Sequence, residues 1–255
     1  RYGHASAVFQ DKMWVVGGLS SNGSKNDVWF SEDGVNWQQA TANANFSPRF
    51  QHTLTVHNNA LWLIGGLVDH IPPQGIFPEG DVWRSFNGIN WTQIFETAPF
   101  GKRMGHATLT FKNKIWVIGG SDWMEDPNSL HKSDVWYSQN GLAWIRQPNG
   151  KSPFLGRKNH TVLADGDFMW MVGGAQSGDE ADPPHNDILF SDDGIDWYEP
   201  VLSNPNFEGR ALHSAAIFDE KLIVIGGIDE SSPPNLYLKD VWGFEDMPCC
   251  LIKQP

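Results

Sequence analysis

The chain has 255 residues, 40% of them hydrophobic and thirteen of them tryptophan, which is enough apolar side chain for a sizeable core in one domain spanning 1–255. Its formal charge of −12 argues against a nucleic-acid partner, because a phosphate backbone needs a concentrated basic surface. No run of eighteen apolar residues occurs, so no membrane span is expected, and the only two cysteines, Cys249 and Cys250, are neighbours whose Cα atoms lie about 3.8 Å apart, short of the roughly 4.4 Å minimum of an ordinary disulfide.

From the first residue onward, His4 to Phe9 alternates small and apolar residues, Asp11-Lys12 makes a turn, and Met13-Trp14-Val15-Val16 is a continuous apolar run closed by Gly17-Gly18. This predicts two antiparallel strands, A and B, with B too short for a buried helix. After a loop, Asp27-Val28-Trp29 begins strand C. Ser31 to Trp37 then turns into strand D, with Asp33-Gly34 read as the positive-φ pair of a two-residue hairpin.

The same wording then recurs. Copies begin at Arg1, Arg49, Arg103, Arg157 and Arg210, in steps of 48, 54, 54 and 53 residues, which fits the longer propeller repeats. Each Arg is followed three residues on by His4, His52, His106, His160 or His213, and sixteen residues on by a Gly-Gly pair starting at Gly17, Gly65, Gly119, Gly173 or Gly226. The blades are read as 1–48, 49–102, 103–156, 157–209 and 210–255.

Twelve of the thirteen tryptophans fall in three columns: Trp14, Trp62, Trp116 and Trp170 on strand B; Trp29, Trp83, Trp136 and Trp242 on C; Trp37, Trp91, Trp144 and Trp197 on D. One small sheet cannot hide both faces, so neighbouring sheets are expected to bury these rings between them in a radial array. The fifth repeat keeps Asp240-Val241-Trp242 but replaces the hairpin with Phe244 to Cys250, which puts Cys250 in the strand D slot of a cap or closing seam.

The Arg-x-x-His start, the Gly-Gly after strand B and the aromatic columns resemble kelch repeats over essentially the whole chain. The Ser-x-(Asp/Asn)-Gly-x-x-Trp hairpin is similar to a shortened Asp-box of sialidases, a folding device in that family. The resemblance implies an all-β, kelch-type β-propeller with five four-stranded blades visible. Kelch propellers usually have six or seven, often with one blade shared by both termini; no shared blade is seen here, so a closed five-blade ring and part of a larger ring both stay open.

The resemblance also implies that the D–A and B–C loops share one ligand-holding face. Arg1, Arg49, Arg103, Arg157 and Arg210 start strand A there, and Asp27, Asp81, Asp134, Asp187 and Asp240 start strand C. Two roles are open for the arginines. They brace the fold by pairing with these carboxylates, or some stay free and bind ligand carboxylates, sulfates or phosphates through bidentate hydrogen bonds. The B–C loops (19–26, 67–80, 121–133, 175–186 and 228–239) are where the repeats differ, and Trp123, outside the three columns, is the leading contact residue, followed by Phe77 and Tyr237. His70, His131 and His185 fall in these loops at unmatched spacing, so no metal or cofactor is expected.

The function expected is a non-catalytic recognition or scaffold module for a protein or glycan at the loop-lined face. The alternatives are a carbohydrate-active enzyme, mutarotase- or sialidase-like, with an acid and an Arg in the same mouth, and a structural assembly subunit. Copper-radical-oxidase and sialidase chemistry both call for tyrosines, of which there are four, and the radical site also for a cysteine outside the C-terminal tail. Asn-x-Ser/Thr tripeptides at Asn22, Asn45, Asn90 and Asn159, and a hairpin style that resembles bacterial extracytoplasmic kelch proteins, point to an extracellular or periplasmic location.

Overall fold

A computed structural model describes residues 1–70, 75–122, 131–151, 153–175, 183–201, 207–229 and 236–244. The fold is all-β, and the chain divides into two compact units, Arg1–Gln147 and Pro148–Pro255. The first unit holds three repeats. Repeat 1 is the antiparallel meander β1 (Ala5–Phe9), β2 (Lys12–Ser20), β3 (Gly23–Ser31) and β4 (Trp37–Thr41). After the short β5 (Arg49–Phe50), repeat 2 is β6 (Thr53–His57), β7 (Ala60–His70), β8 (Gly75–Ser85) and β9 (Thr92–Phe95). Repeat 3 is β10 (Ala107–Phe111), β11 (Lys114–Ile118), β12 (Val135–Ser138) and β13 (Ile145–Arg146).

The second unit holds repeat 4, with β14 (Thr161–Asp165), β15 (Phe168–Val172) and β16 (Ile188–Ser191), and repeat 5, with β17 (Ser214–Phe218), β18 (Lys221–Ile225), the side ribbon β19 (Ile228–Asp229) and β20 (Leu236–Tyr237), and β21 (Val241–Phe244). Two departures from the expected four strands occur here. In repeat 4, strand D shrinks to one bridge between Phe190 and Tyr198, because Pro200 follows and has no N–H to continue a ladder. In repeat 5, the strand D expected around Cys250 lies outside the described residues.

Two of the expected B–C loops are ordered ribbons. Strands β2 and β3 run on to Ser20 and Gly23, and β7 and β8 to His70 and Gly75, past register shifts at Val16/Gly18 and Ile64/Gly66. β5 pairs Lys25 on one side and Leu67 and Val68 on the other, so the first two repeats share one nine-stranded sheet instead of forming two separate ones. A ribbon leaves a row of unpaired backbone groups at its edge, and β5 pairs with part of that row at Lys25, Leu67 and Val68. Above it, Asp69 accepts from the Ser24 hydroxyl at 2.5 Å and closes the gap between the ribbons.

The C-to-D hairpin also differs in kind from a two-residue turn. Only its glycine takes positive φ, 75° at Gly34, and the strands are separated by 32–36. Side chains hold the turn: Ser31 Oγ accepts the Gly34 N–H at 2.9 Å, and Asp33 Oδ1 accepts the N–H groups of Val35 and Asn36 at 2.8 and 2.7 Å. The other hairpins repeat it, with Asn in the Asp33 slot of repeats 2 and 3. A short polar side chain offering its oxygen to nearby backbone N–H groups is what Asx and Ser turns supply.

Packing then follows from the tryptophan columns. Trp14, Trp62, Trp116 and Trp170 are buried, and the first three donate their indole N–H to the carbonyls of Phe9, His57 and Phe111. Trp14 lies against the hairpin glycine of repeat 2 so closely that a Cβ on Gly88 would sit 2.2 Å from the ring, and Trp62 meets Gly141 of repeat 3 at the same distance. That glycine is therefore required twice, for its φ and for the neighbour's ring. The strand D indoles Trp91, Trp144 and Trp197 are buried as expected, but Trp37 is 40% exposed. Trp62→Ala should cost about 3–5 kcal/mol in urea unfolding and Trp37→Ala less than about 1 kcal/mol, because only the first leaves a cavity.

Candidate functional site

The residues that the repeat keeps converge inside each blade. The guanidinium of Arg49 faces Asp81 with Nη1–Oδ1 at 2.6 Å and Nη2–Oδ2 at 2.7 Å, and Nη1 also donates to the carbonyl of Gly65 at 2.9 Å. The indole of Trp83 donates to the same carboxylate at 2.7 Å. Arg103 with Asp134 and Gly119, Arg157 with Asp187 and Gly173, Arg210 with Asp240 and Gly226, and Arg1 with Asp27 and Gly17 repeat the arrangement. The strand C indole joins in every repeat except the fourth, where Leu189 stands in its place.

This geometry bears on the two roles open for the arginines. The side chains of Arg49, Arg103, Arg157 and Arg210 are 0–1% exposed and that of Arg1 is 27% exposed, each with its fork against its own carboxylate. A ligand reaching for one of the four buried forks would have to displace an acid from a site shielded from water. The carboxylates answer in kind. Hydrogen bonds from Arg210 hold Asp240 well below the usual carboxylate range. At Asp134, burial pushes the pKa up, but the charge and hydrogen bonds of Arg103 outweigh it and leave the group low.

The motif histidines seal the joints between repeats within each unit. The ring of His106 lies against Gly65 of the preceding repeat and its Nε2 is 3.0 Å from Thr53 Oγ1, while His52 meets Gly17 and His213 meets Gly173 in the same way. The Gly-Gly pair is explained by this contact: a Cβ on Gly65 would be 2.7 Å from the carbonyl oxygen of Arg103, and one on Gly66 would be 2.6 Å from His52 Cβ. With no side chain in the way, Gly66 N–H reaches the Arg103 carbonyl at 3.0 Å, as Gly174 N–H reaches that of Arg210 at 2.8 Å. Burial, aided by the nearby Arg49 charge, lowers His52 to about 3, and burial with Arg210 lowers His213 to about 4.

The predicted contact residues fall in different local settings. Phe77 is half-buried in β8, opposite Val68, on a strand where a loop was expected. Tyr237 is 73% exposed at the end of the β19–β20 ribbon, in the other unit. Trp123 lies outside the described residues. Among the described residues no group of three or more His, Cys, Asp or Glu is placed to hold a metal ion.

Two recurring positions were missed in the sequence. Phe46, Phe100, Phe154 and Phe207 each stand three residues ahead of a motif Arg and lie under its guanidinium at 5.2–5.9 Å. The spacing is legible in the sequence, but it falls in the linker ahead of the Arg that opens each repeat. The residue after each Arg also pairs with the residue after each Gly-Gly, as in Tyr2 with Leu19, Phe50 with Leu67, Met104 with Ser121, Lys158 with Ala175 and Ala211 with Ile228. These pairs stand at the end of strand B from which the B–C segment departs, and in the first unit Phe50, Leu67, Met104 and Leu19 make a small apolar cluster of their own.

Comparison with known proteins places this architecture. Residues 81–247 match the family model described as the KLHDC2/KLHL20/DRC7 Kelch-repeats domain, and residues 1–29 match the Kelch motif. The chain belongs to the kelch-repeat family. Among its kelch relatives, alpha-scruin of Limulus polyphemus is 27% identical over 76% of this chain and 20% of its own length. The mouse Rab9 effector protein with kelch motifs is 24% identical over 68% of this chain and 47% of its own. The chain thus spans between a fifth and a half of these relatives. The solved structure of YjhT superposes with a TM-score of 0.76 at 18% identity, covering 94% of this chain and 81% of that one, a likeness of propeller fold.

Two outcomes follow for the kelch brace. Asp81→Ala strands a buried Arg49 cation and should cost about 3–5 kcal/mol in chemical unfolding, whereas Arg1→Ala, on the most exposed pair, should cost about 1 kcal/mol or less. Stability should also depend on pH through His52 and His213. Their folded pKa values lie below the ordinary 6.5, so their contribution is complete above that pH and is lost as pH falls toward 4 and 3, by up to about 1.4 kcal/mol per pH unit for each. Urea midpoints measured from pH 8 down to pH 4 check this, and His213→Gln should flatten the curve.

Proposed function

We propose that this chain is a non-catalytic recognition or scaffold module that takes a protein partner on the face formed by the B–C and D–A segments. The observation that carries the reading is the placement of the repeated polar groups. The arginines and aspartates that recur in every repeat are paired within blades, and His52, His106 and His213 lie at the joints between repeats. What varies, and so can distinguish one ligand from another, is the set of B–C segments and the residue pairs at their base.

Membership in the kelch family supports a binding or scaffold role, and one relative is named as an effector of another protein. Tyr237, with most of its ring in solvent, and Trp123 and Phe77 on the same class of segment, are the proposed anchors, since aromatic side chains contribute large contact area at low entropic cost. The test is affinity enrichment of partners with the intact chain and with Trp123→Ala and Tyr237→Ala, followed by titration of the enriched protein. Each substitution should weaken binding by about tenfold or more, while circular dichroism and the unfolding midpoint stay unchanged. A partner indifferent to both substitutions overturns the assigned face. Saturable binding on a glycan array moves the ligand class to carbohydrate, and saturable turnover of a sugar panel replaces recognition with catalysis.

A further inference from the structure

Four asparagines in the chain stand directly before a glycine: Asn22, Asn87, Asn140 and Asn149. This dipeptide carries a reaction of its own. The glycine amide nitrogen, once it gives its proton to base, can attack the asparagine Cγ, because no side chain on the glycine blocks the approach. The N–Cγ bond forms, the bond from Cγ to the side-chain nitrogen breaks, and that nitrogen leaves as ammonia with the proton. Water then opens the imide ring at either carbonyl and leaves aspartate, or an isoaspartate whose main chain runs through Cβ and Cγ.

The fold withholds this reaction from two of the four sites. Asn87 Oδ1 accepts the N–H groups of Ile89 and Asn90 at 3.0 and 2.9 Å, and the Gly88 N–H that would have to react donates to Ser85 Oγ at 2.9 Å. Asn140 Oδ1 is held by Leu142 and Ala143 at 2.9 and 3.3 Å, with the Gly141 N–H on Ser138 Oγ at 2.8 Å. Trp14 and Trp62 lie against these two glycines and leave the backbone no room to turn. Asn149 is exposed, but Gly150 is walled by the Ile195 carbonyl and the Asp196 carboxylate, 2.4 and 2.3 Å from where its Cβ would stand. A carboxylate in that position opposes loss of the amide proton.

Asn22 has none of these restraints. It is exposed in the two-residue turn between Ser20 and Gly23, and nothing stands within 4 Å of a Cβ placed on Gly23. Its backbone N–H donates to Ser20 Oγ at 3.2 Å, while its carboxamide has no hydrogen-bond partner among the described residues. We propose that Asn22 is this chain's site of spontaneous deamidation, and that the change loosens the join between the first two ribbons. An isoaspartate lengthens the main chain of a turn that has two residues, beside the pairing of Ser20 with Gly23. Both products put a carboxylate two residues from Ser24, whose N–H and hydroxyl are held by Asp69 Oδ2 at 3.3 and 2.5 Å. The longer turn shifts the register, and the new charge repels Asp69.

The test uses the intact chain made in bacteria, so that Asn22, which also opens an Asn-Gly-Ser glycosylation tripeptide, carries no glycan. The chain is aged in mildly alkaline buffer, each Asn-Gly peptide is followed by mass spectrometry, and an isoaspartate methyltransferase counts the β-linked product. Asn22 should convert first in the folded chain, with Asn87 and Asn140 about tenfold or more behind, because they react only through local opening. In urea the four rates should draw together, since the dipeptide is then equally free at each site. Amide exchange at Ser24 should rise several-fold in the aged chain and stay unchanged in an Asn22→Gln chain aged beside it, because glutamine would have to close a larger ring. Another asparagine that keeps pace with Asn22 in the folded chain, or a spread of rates that survives in urea, overturns the site. A Ser24 amide as protected in the aged chain as in the fresh one overturns the loosening.

Discussion

The structure depends on a buried bidentate ion pair made once per repeat. Arg at the start of strand A reaches across strand B to the Asp at the start of strand C, and on the way its Nη1 takes the carbonyl of the first glycine after strand B. Three strands are thereby tied at one point by a planar group whose donors are fixed in direction, and lysine could not make the same fork. A buried charge is tolerable only when paired and fully hydrogen-bonded, and the indole N–H on the same carboxylate helps complete that shell.

The joints follow from the brace. Because the arginine side chain is held inside its own blade, its backbone carbonyl is presented to the preceding repeat, where it accepts a glycine N–H. The two glycines exist to leave that space empty, and the histidine fills what remains. Each of these groups is explained by a contact within or between repeats, so their recurrence needs no ligand. This is why recognition is assigned to the segments that do not recur.

The first two repeats show how such a segment gains rigidity. Their B–C connections are extended ribbons, joined through β5 and the Asp69 to Ser24 hydrogen bond, with a small apolar cluster at the base. A surface of this sort loses little conformational entropy on binding, because its backbone is already paired. Repeat 5 carries a shorter ribbon that presents Tyr237 to solvent.

The sequence by itself determined the class of fold, the five repeats, the order of strands and the burial of most tryptophans, because a fixed spacing of Arg, His, Gly-Gly and Trp leaves one consistent way to pair short strands and hide their rings. It left the role of the arginines open, since a guanidinium aimed at a carboxylate of the protein and one aimed at a ligand are spelled alike. Only the tertiary structure decided that each fork meets its own aspartate, that β5 welds two repeats into one sheet, that the hairpins are closed by side-chain oxygens, and that a linker phenylalanine covers Trp91 and Trp144. The hairpin contacts are local, but the ion pairs and the phenylalanine-to-tryptophan contacts join residues some 30 to 50 positions apart, and distance across the fold is what a one-dimensional pattern does not carry.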